Sequence, residues 1–275
     1  MHSTAFPIRI FDVDVFAELR PNVLLRFLWQ TAAEATAAAG YDNAWYERQG
    51  TLWIIRRTQL QLLAPVHYLD TIDVRTWVID MRRVRSQRAY EVRRRGDDAL
   101  VAQAVTDWVY VDLTRGTLAQ PPAELQRALM PEGIGSRPRD PSLATPPPAQ
   151  AARGSRRVEL ADLDGVAHVN NAQYAVFVEQ AVWDALAAHG WTIAPTAPAE
   201  RPRLASHDLE YFDAAVYDDQ LGSAVWVSSC DASGFTTECE LSRNGGRSLH
   251  ARSVWRWPAP DVPEALRGAV ARLSA

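Results

Sequence analysis

Lysine is missing from this chain of 275 residues, and all 29 of its basic side chains are arginine. Against them stand 33 acidic residues, a formal net charge of −4, so the chain as a whole lacks the basic surface that nucleic-acid binding requires. Cysteine is scarce. Cys230 and Cys239 are the only two, too few for a disulfide scaffold and not in a C-x-x-C pair that would hold a metal or do redox work. Long apolar runs are missing too. No stretch reaches the ~18 uninterrupted apolar residues of a membrane span. Met1 to Ile10 does not show a basic region followed by an apolar one, as a secretory leader would. These absences lead us to expect a cytoplasmic protein with no membrane span, no metal and no cofactor.

What the chain does have is a repeat. Asp12–Gly40 lies over Asp162–Gly190 without a gap at an offset of 162 − 12 = 150. Asp12/Asp162, Asp14/Asp164, Phe27/Phe177, Gln30/Gln180 and Gly40/Gly190 coincide. The match resumes at an offset of 149 with Tyr68/Tyr217, Asp70/Asp219, Trp77/Trp226, Val78/Val227, Glu91/Glu240, Leu100/Leu249, Val105/Val254 and Trp108/Trp257. With 47% hydrophobic residues, each copy can build its own core.

Each copy reads the same way. An Asp-x-Asp loop precedes a helix, Pro21–Ala39 and Asn171–His189, whose apolar positions recur at helical spacing and which Gly40 and Gly190 stop. Strands follow at Leu60–Leu63, Thr71–Val78, Ala89–Arg94 and Ala99–Val111, with counterparts at Leu209–Phe212, Leu221–Ser228, Thr236–Leu241 and Leu249–Trp257. Arg94–Gly96 and Asn244–Gly246 read as hairpin turns. The expected division is a first domain over 1–133, a proline-rich extended linker over 134–154 containing Pro146–Pro148, and a second domain over 155–275. Pro263–Leu273 has the pattern of an amphipathic helix. The fold class is α+β: in each copy one long helix is wrapped by a curved antiparallel sheet. Two such units in one chain do what a two-fold dimer does with two; whether two chains associate further is open.

The densest polar cluster is Asp162-Leu-Asp164-Gly-Val-Ala-His168-Val-Asn170-Asn171-Ala-Gln-Tyr174, directly before the second helix. A helix start offers free N–H groups and the positive end of the macrodipole, which suit a developing oxyanion. A carboxylate and an imidazole four residues apart can converge there to activate water or attack a carbonyl. Taken singly, Asp164, His168 and Asn170 read as loop and cap residues. Taken together, the cap explains one Asn and leaves the Asp–His pair unaccounted for. In the first copy Glu18 stands at the His168 position and Arg20-Pro21 at Asn170-Asn171. Proline has no N–H, so that copy lacks the donor.

The Asp-x-Asp-x-x-x-His-Val-Asn-Asn motif with its Tyr resembles the loop–helix motif of hotdog-fold acyl thioesterases. In the first copy, Trp53-Ile-Ile-Arg56-Arg-Thr-Gln59, Pro65, Asp70, Thr76-Trp77-Val78, and Trp108-Val109 with Asp112 and Thr114 resemble the N-terminal hotdog of plant and bacterial fatty acyl-ACP thioesterases. The resemblance spans nearly the whole chain. It implies a tandem double hotdog that hydrolyses acyl-ACP or acyl-CoA thioesters, with the first unit as pocket and a degenerate site. It implies Asp164 as base or nucleophile, His168 as its partner and the Asn171 N–H as oxyanion donor, with Asp162, Asn170 and Tyr174 in support. It also implies an asparagine where Val166 stands and a glutamate near Ala214, with which neighbouring Glu210 and Asp213 are not aligned. A non-hydrolytic hotdog that binds or transforms acyl or polyketide thioesters, as a dehydratase or cyclase would, is the rival reading. Arg82, Arg83, Arg85, Arg88 and Arg93–Arg95 crowd one expected hairpin. Arg83, Arg85 and Arg88 are the candidate dock for an acidic acyl carrier protein or CoA phosphates; a solvated strand face is the plainer account. Trp53, Trp77 and Trp226 are expected in the core or a pocket wall.

Overall fold

The computed structural model describes residues 1–130, 140–143, 145–258 and 261–274. The chain divides into two compact units, Met1–Pro141 and Ser142–Ala275.

In the first unit the order is β1 (His2–Pro7), α1 (Pro21–Ala38), α2 (Asn43–Gln49), β2 (Thr51–Leu62), β3 (Thr71–Arg82), β4 (Arg85–Arg94), β5 (Leu100–Asp112), β6 (Thr117–Leu118) and α3 (Ala123–Leu129). Its strands run antiparallel in the order β1-β3-β4-β5-β2, with β6 against β5. The second unit contains β7 (Ala152–Arg157), α4 (Asn171–Ala188), β8 (Arg203–Tyr211), β9 (Gln220–Cys230), β10 (Gly234–Arg243), β11 (Gly246–Arg256) and α5 (Glu264–Leu273). Its order is β7-β9-β10-β11-β8, the same topology again.

α1 and α4 are both 18 residues long, one residue shorter than the spacing predicts. Their ends are alike. Gly40 and Gly190 take left-handed φ of 92° and 94°, and the next N–H reaches back to Thr36 and Leu186 in a Schellman closure. The buried stripes Leu24, Leu25, Leu28, Thr31, Ala32 and Tyr174, Phe177, Val178, Val182, Ala185 press each helix onto its sheet. In the first unit Phe6 of β1 stacks on Phe27 of α1 at 4.3 Å. Phe6 pairs with Ile72 and Thr4 with Val74, so the alternating Ile72, Val74, Thr76 and Val78 share the helix-facing side.

The structure departs from the sequence reading in three places. A strand precedes each long helix. β1 and β7, with sequences HSTAFP and ARGSRR, are short polar strands that pair on one side within their unit. Such strands carry little apolar alternation and become strands by pairing with β3 and β9.

The second departure is a register. β10 keeps the 149 offset, since Tyr90 corresponds to Cys239 (239 − 90 = 149). Their partners are Ala104 and Ala251, an offset of 251 − 104 = 147. Five residues separate β4 from β5 (95–99) and two separate β10 from β11 (244–245). The shorter turn draws the last strand forward. Trp108 therefore corresponds to Trp255 rather than Trp257: Trp108 faces Ser86, Trp255 faces Phe235, and each indole N–H donates to a threonine hydroxyl, Thr106 and Thr237.

The third concerns the proline-rich stretch. Residues 131–139, and with them the 133/134 boundary, lie outside the described residues. Beyond them the described part of the segment is pinned at several points. Asp140 and Pro141 present their carbonyls to buried Arg57, at 3.3 and 2.8 Å, within the first unit. In the second, Ser142 Oγ and the Leu143 N–H donate to Glu210 at 2.7 and 2.8 Å, and Ala151 packs against Ala224 and Trp226. Arg247 reaches the Thr145 carbonyl at 3.5 Å. The segment thus straps the sheet face away from α4, over buried His250 and Glu238. α5 buries Leu266, Ala269, Val270 and Leu273 and packs on α4 and β9.

Candidate active site

The loop before α4 is built by Asp162. Its carboxylate accepts the Glu159 N–H at 2.8 Å and the Gln173 amide at 3.0 Å, and its main-chain oxygen accepts the Asn170 N–H at 2.9 Å. Arg156 stands 3.6 Å from the same carboxylate. One buried residue therefore ties both ends of the loop to the first turn of the helix. Asn170 caps α4 by accepting the Ala172 N–H at 3.0 Å. Asn171 is the first helical residue, so its N–H has no intrahelical acceptor, and it has none among the other described residues. Tyr211 donates to the Asn171 carbonyl at 3.1 Å, and Tyr174 accepts the Ala215 N–H at 2.9 Å. Burial pushes the Tyr174 phenol up to about 12, so it stays neutral.

Asp164 sits on a tight turn. Its N–H donates to the His168 carbonyl at 2.9 Å, and Ala167, at φ 62°, closes the turn onto the Asp164 carbonyl. Oδ1 accepts the Val166 N–H at 3.1 Å, while Oδ2 has no hydrogen-bond partner among the described residues. The His168 main chain bridges to Val216, but its imidazole is exposed and makes no hydrogen bond to Asp164. The turn therefore joins this pair by main chain alone. Of the two possible stand-ins for the Ala214 position, Asp213 is ion-paired to Arg243 at 2.6 Å, and Glu210 is buried under the strap.

The first unit repeats the loop. Phe16 and Glu18 donate their N–H groups to Asp14 Oδ1 at 2.8 and 3.1 Å, and Ala17 has φ 60°. Arg20 donates to the Asp12 carbonyl at 3.0 Å, and its φ/ψ of −67°/136° match the −58°/133° of Asn170. The next residue is Pro21, the first of α1, so the donor is absent there.

The arginines separate into three groups. Arg82, Arg83 and Arg85 are exposed at the β3–β4 turn, where Arg82 meets Asp80 at 3.2 Å. Arg93, Arg94 and Arg95 lie at the other end of β4, about 30 Å away by strand rise. They are paired with Asp98, Asp97 and Asp73. Arg88 does not belong to any docking surface. It alternates onto the helix-facing side with Tyr90 and is only 6% exposed. Trp226 is buried, as expected of a core residue.

One polar chain had no signal in the sequence. His207 and Ser253 are buried; His207 Nδ1 lies 2.8 Å from Ser253 Oγ and its Nε2 lies 3.5 Å from Glu179 of α4. These residues come from three elements, and no spacing rule connects them.

Two hotdog units in tandem make this a double-hotdog protein, the architecture of acyl thioesterases. Residues 1–128 match the acyl-ACP thioesterase N-terminal domain and residues 158–256 the thioesterase-like superfamily. The chain resembles the acyl-ACP thioesterases of plants and bacteria over nearly its whole length. It is 23% identical to a chloroplastic palmitoyl-acyl carrier protein thioesterase of Arabidopsis thaliana, covering 94% of this chain and 64% of the relative. It is 24% identical to an acyl-[acyl-carrier-protein] hydrolase of Cuphea viscosissima, covering 91% and 61%. The chain thus spans a little over three-fifths of the length of these curated relatives. Among solved structures it is similar to the 12:0-ACP thioesterase of Umbellularia californica, with TM-score 0.74, 19% identity and coverage of 93% and 96%. It is also similar to an acyl-ACP thioesterase of Bacteroides thetaiotaomicron, with TM-score 0.73, 16% identity and coverage of 92% and 97%.

Proposed function

We propose that this chain hydrolyses acyl thioesters carried on acyl carrier protein or CoA, at one site, in the second unit. The observation that carries the reading is an unused N–H at the start of α4 together with a carboxylate seven residues ahead of it, on the loop that leads into the helix, whose Oδ2 is open among the described residues. The thioester carbonyl oxygen accepts from the Asn171 N–H, aided by the helix dipole. Asp164 takes a proton from water as the water oxygen bonds to the carbonyl carbon. The C–S bond then breaks, and the thiolate leaves with that proton. His168, free to turn, closes on Asp164 or the leaving group when substrate is bound; catalytic hydrogen bonds often tighten only then. Asp162, Asn170 and Tyr174 hold the loop. We assign the first unit, whose Pro21 removes the donor, to holding the acyl chain, and the exposed Arg83 and Arg85 to meeting the acidic carrier. Two unpaired thiols fit a reducing cytoplasm.

A rival reading, binding or transformation without hydrolysis, is favoured by Val166 and Ala214 at the implied Asn and Glu positions. A panel of acyl-CoA and acyl-carrier substrates, read with a thiol dye, separates the two. Thiol release above the uncatalysed rate supports hydrolysis; tight binding with no release would leave the rival.

A further inference from the structure

Strand register holds Arg88 on the helix-facing side of the first unit's sheet, opposite Val78 on β3 and Thr106 on β5; Arg94, opposite Ile72 at the strand end, shares that side but is paired with Asp97. A guanidinium carries five N–H donors and stays protonated. Here its single hydrogen bond among the described residues is to Thr76 Oγ1, at 3.5 Å. Among the described residues no carboxylate or carbonyl is hydrogen-bonded to it. Buried Arg57 differs: it has the Asp140 and Pro141 carbonyls. Burial opposes the charge of Arg88, and the groups that favour it are only the neutral phenols of Tyr90 and Tyr46. Removing a cation from water without a counter-charge is costly, and an arginine retained in that state indicates an anion that comes and goes.

The surroundings are rich in donors and poor in acceptors. Trp108 donates to Thr106 at 2.6 Å and Thr106 to Tyr90 at 3.3 Å, so the Tyr90 proton remains to be given. Tyr46 Oη and Trp53 Nε1 are buried and lack a hydrogen-bond partner among the described residues. Aromatic rings cluster beside these groups: Trp53 lies 4.9 Å and Tyr46 6.5 Å from Tyr110. A planar anion on an apolar stem matches this set of donors and rings.

We propose that the interior of the first unit selects acyl groups bearing a second, distal carboxylate, with Arg88 as its anchor and Tyr46, Trp53 and Tyr90 as further donors. This rests on the assignment of the first unit to the acyl chain. The substrate class would be dicarboxylic acids esterified to a thiol at one end.

The test uses the full chain and CoA thioesters of equal length ending in carboxylate or methyl. Wild type should prefer the carboxylate by about 10–100-fold in kcat/KM, the scale of a charge-assisted contact. Arg88→Met should erase or reverse the preference, and Arg88→Gln should retain part of it. In parallel, free dicarboxylic acids should raise the wild-type Tm more than monocarboxylic acids do, and this difference should vanish in Arg88→Met. Equal rates and equal thermal shifts for the two end groups in wild type would overturn the proposal, even if no variant folds. If no thioester is cleaved but dicarboxylates still stabilise through Arg88, the hydrolytic reading fails and this inference stands.

Discussion

Asp14 and Asp164 are the same residue of one loop, each accepting the N–H two residues on through Oδ1, at 2.8 and 3.1 Å. The turns around them close on Ala17 and Ala167 at φ 60° and 62°. Duplication has preserved the carboxylate and its presentation in both units. What differs is what surrounds it: Glu18 against His168, and Pro21 against Asn171. Glu18 adds a negative charge to that loop, which opposes an oxyanion, and Pro21 offers no N–H to receive one.

The first prediction follows from that contrast. Asp164→Asn should abolish nearly all thiol release with an unchanged melt, because Asn still accepts the Val166 N–H. Asp14→Asn should leave kcat within a few-fold. His168→Ala should fall between them. Steady-state hydrolysis by the three variants, with thermal melts beside it, checks this. Equal damage from Asp14→Asn and Asp164→Asn would end the one-site reading.

The repeat, both long helices and most strands are legible in the sequence because they rest on periodicity and on Gly40 and Gly190. β1 and β7 are not, because a polar strand gains its conformation from its neighbour. The shift of Trp108 onto Trp255 is hidden because identities at Trp257 sit two residues from the true register, and turn length sets register. The Asp164 loop is readable as a motif. The separation of its carboxylate from the His168 ring is not, since spacing brings main chains together without fixing side chains. Arg88 shows the same limit. In the sequence it is one of several arginines near a hairpin; the two-residue alternation of β4 sends it inward.

For the carrier, the exposed turn gives a narrower expectation than the whole arginine run. Arg83→Ser with Arg85→Ser should raise KM for acyl carrier protein substrates and flatten the salt dependence of kcat/KM, with kcat little changed. Arg94→Ser, at the paired end of β4, should do neither. An unchanged salt slope in the double variant returns the turn to a solvated surface.

Under the strap, Glu238 is buried and accepts from His250 Nε2 at 2.9 Å and Arg252 Nε at 2.6 Å. Burial pushes its carboxyl up, but hydrogen bonds and charge from His250 and Arg252 outweigh it and hold the carboxyl below the ordinary glutamate value. A depressed carboxylate contributes stability above the unfolded value, near pH ~4.3, that is lost as pH falls through the folded one. Tm should therefore fall on acidification through that window. Glu238→Gln should flatten this part of the profile and lower stability at neutral pH by about 1–3 kcal/mol. Melts of both proteins across the acid range decide it; parallel profiles would assign the acid loss to other groups.

The sharpest test of the oxyanion donor is a substitution that the protein has already made once. Asn171→Pro removes a single N–H at the first position of α4. Proline is favoured there, since its fixed φ suits the helix and that N–H has no intrahelical acceptor to lose. A residue before proline must be extended, and Asn170 already has φ/ψ of −58°/133°, within 10° of the −67°/136° that Arg20 adopts before Pro21. The side chain lost is not the cap, which is Asn170. The fold should therefore survive with a melt close to wild type. Catalysis should not: loss of one oxyanion donor costs about 10²–10³ in kcat, and KM should move little because the acyl chain and carrier contacts are untouched. Asn171→Ala keeps the N–H and should retain most activity, which separates the main-chain donor from the amide side chain. If Asn171→Pro folds and turns over like wild type, the carbonyl is polarised elsewhere and the reading of the α4 start as an oxyanion site is wrong.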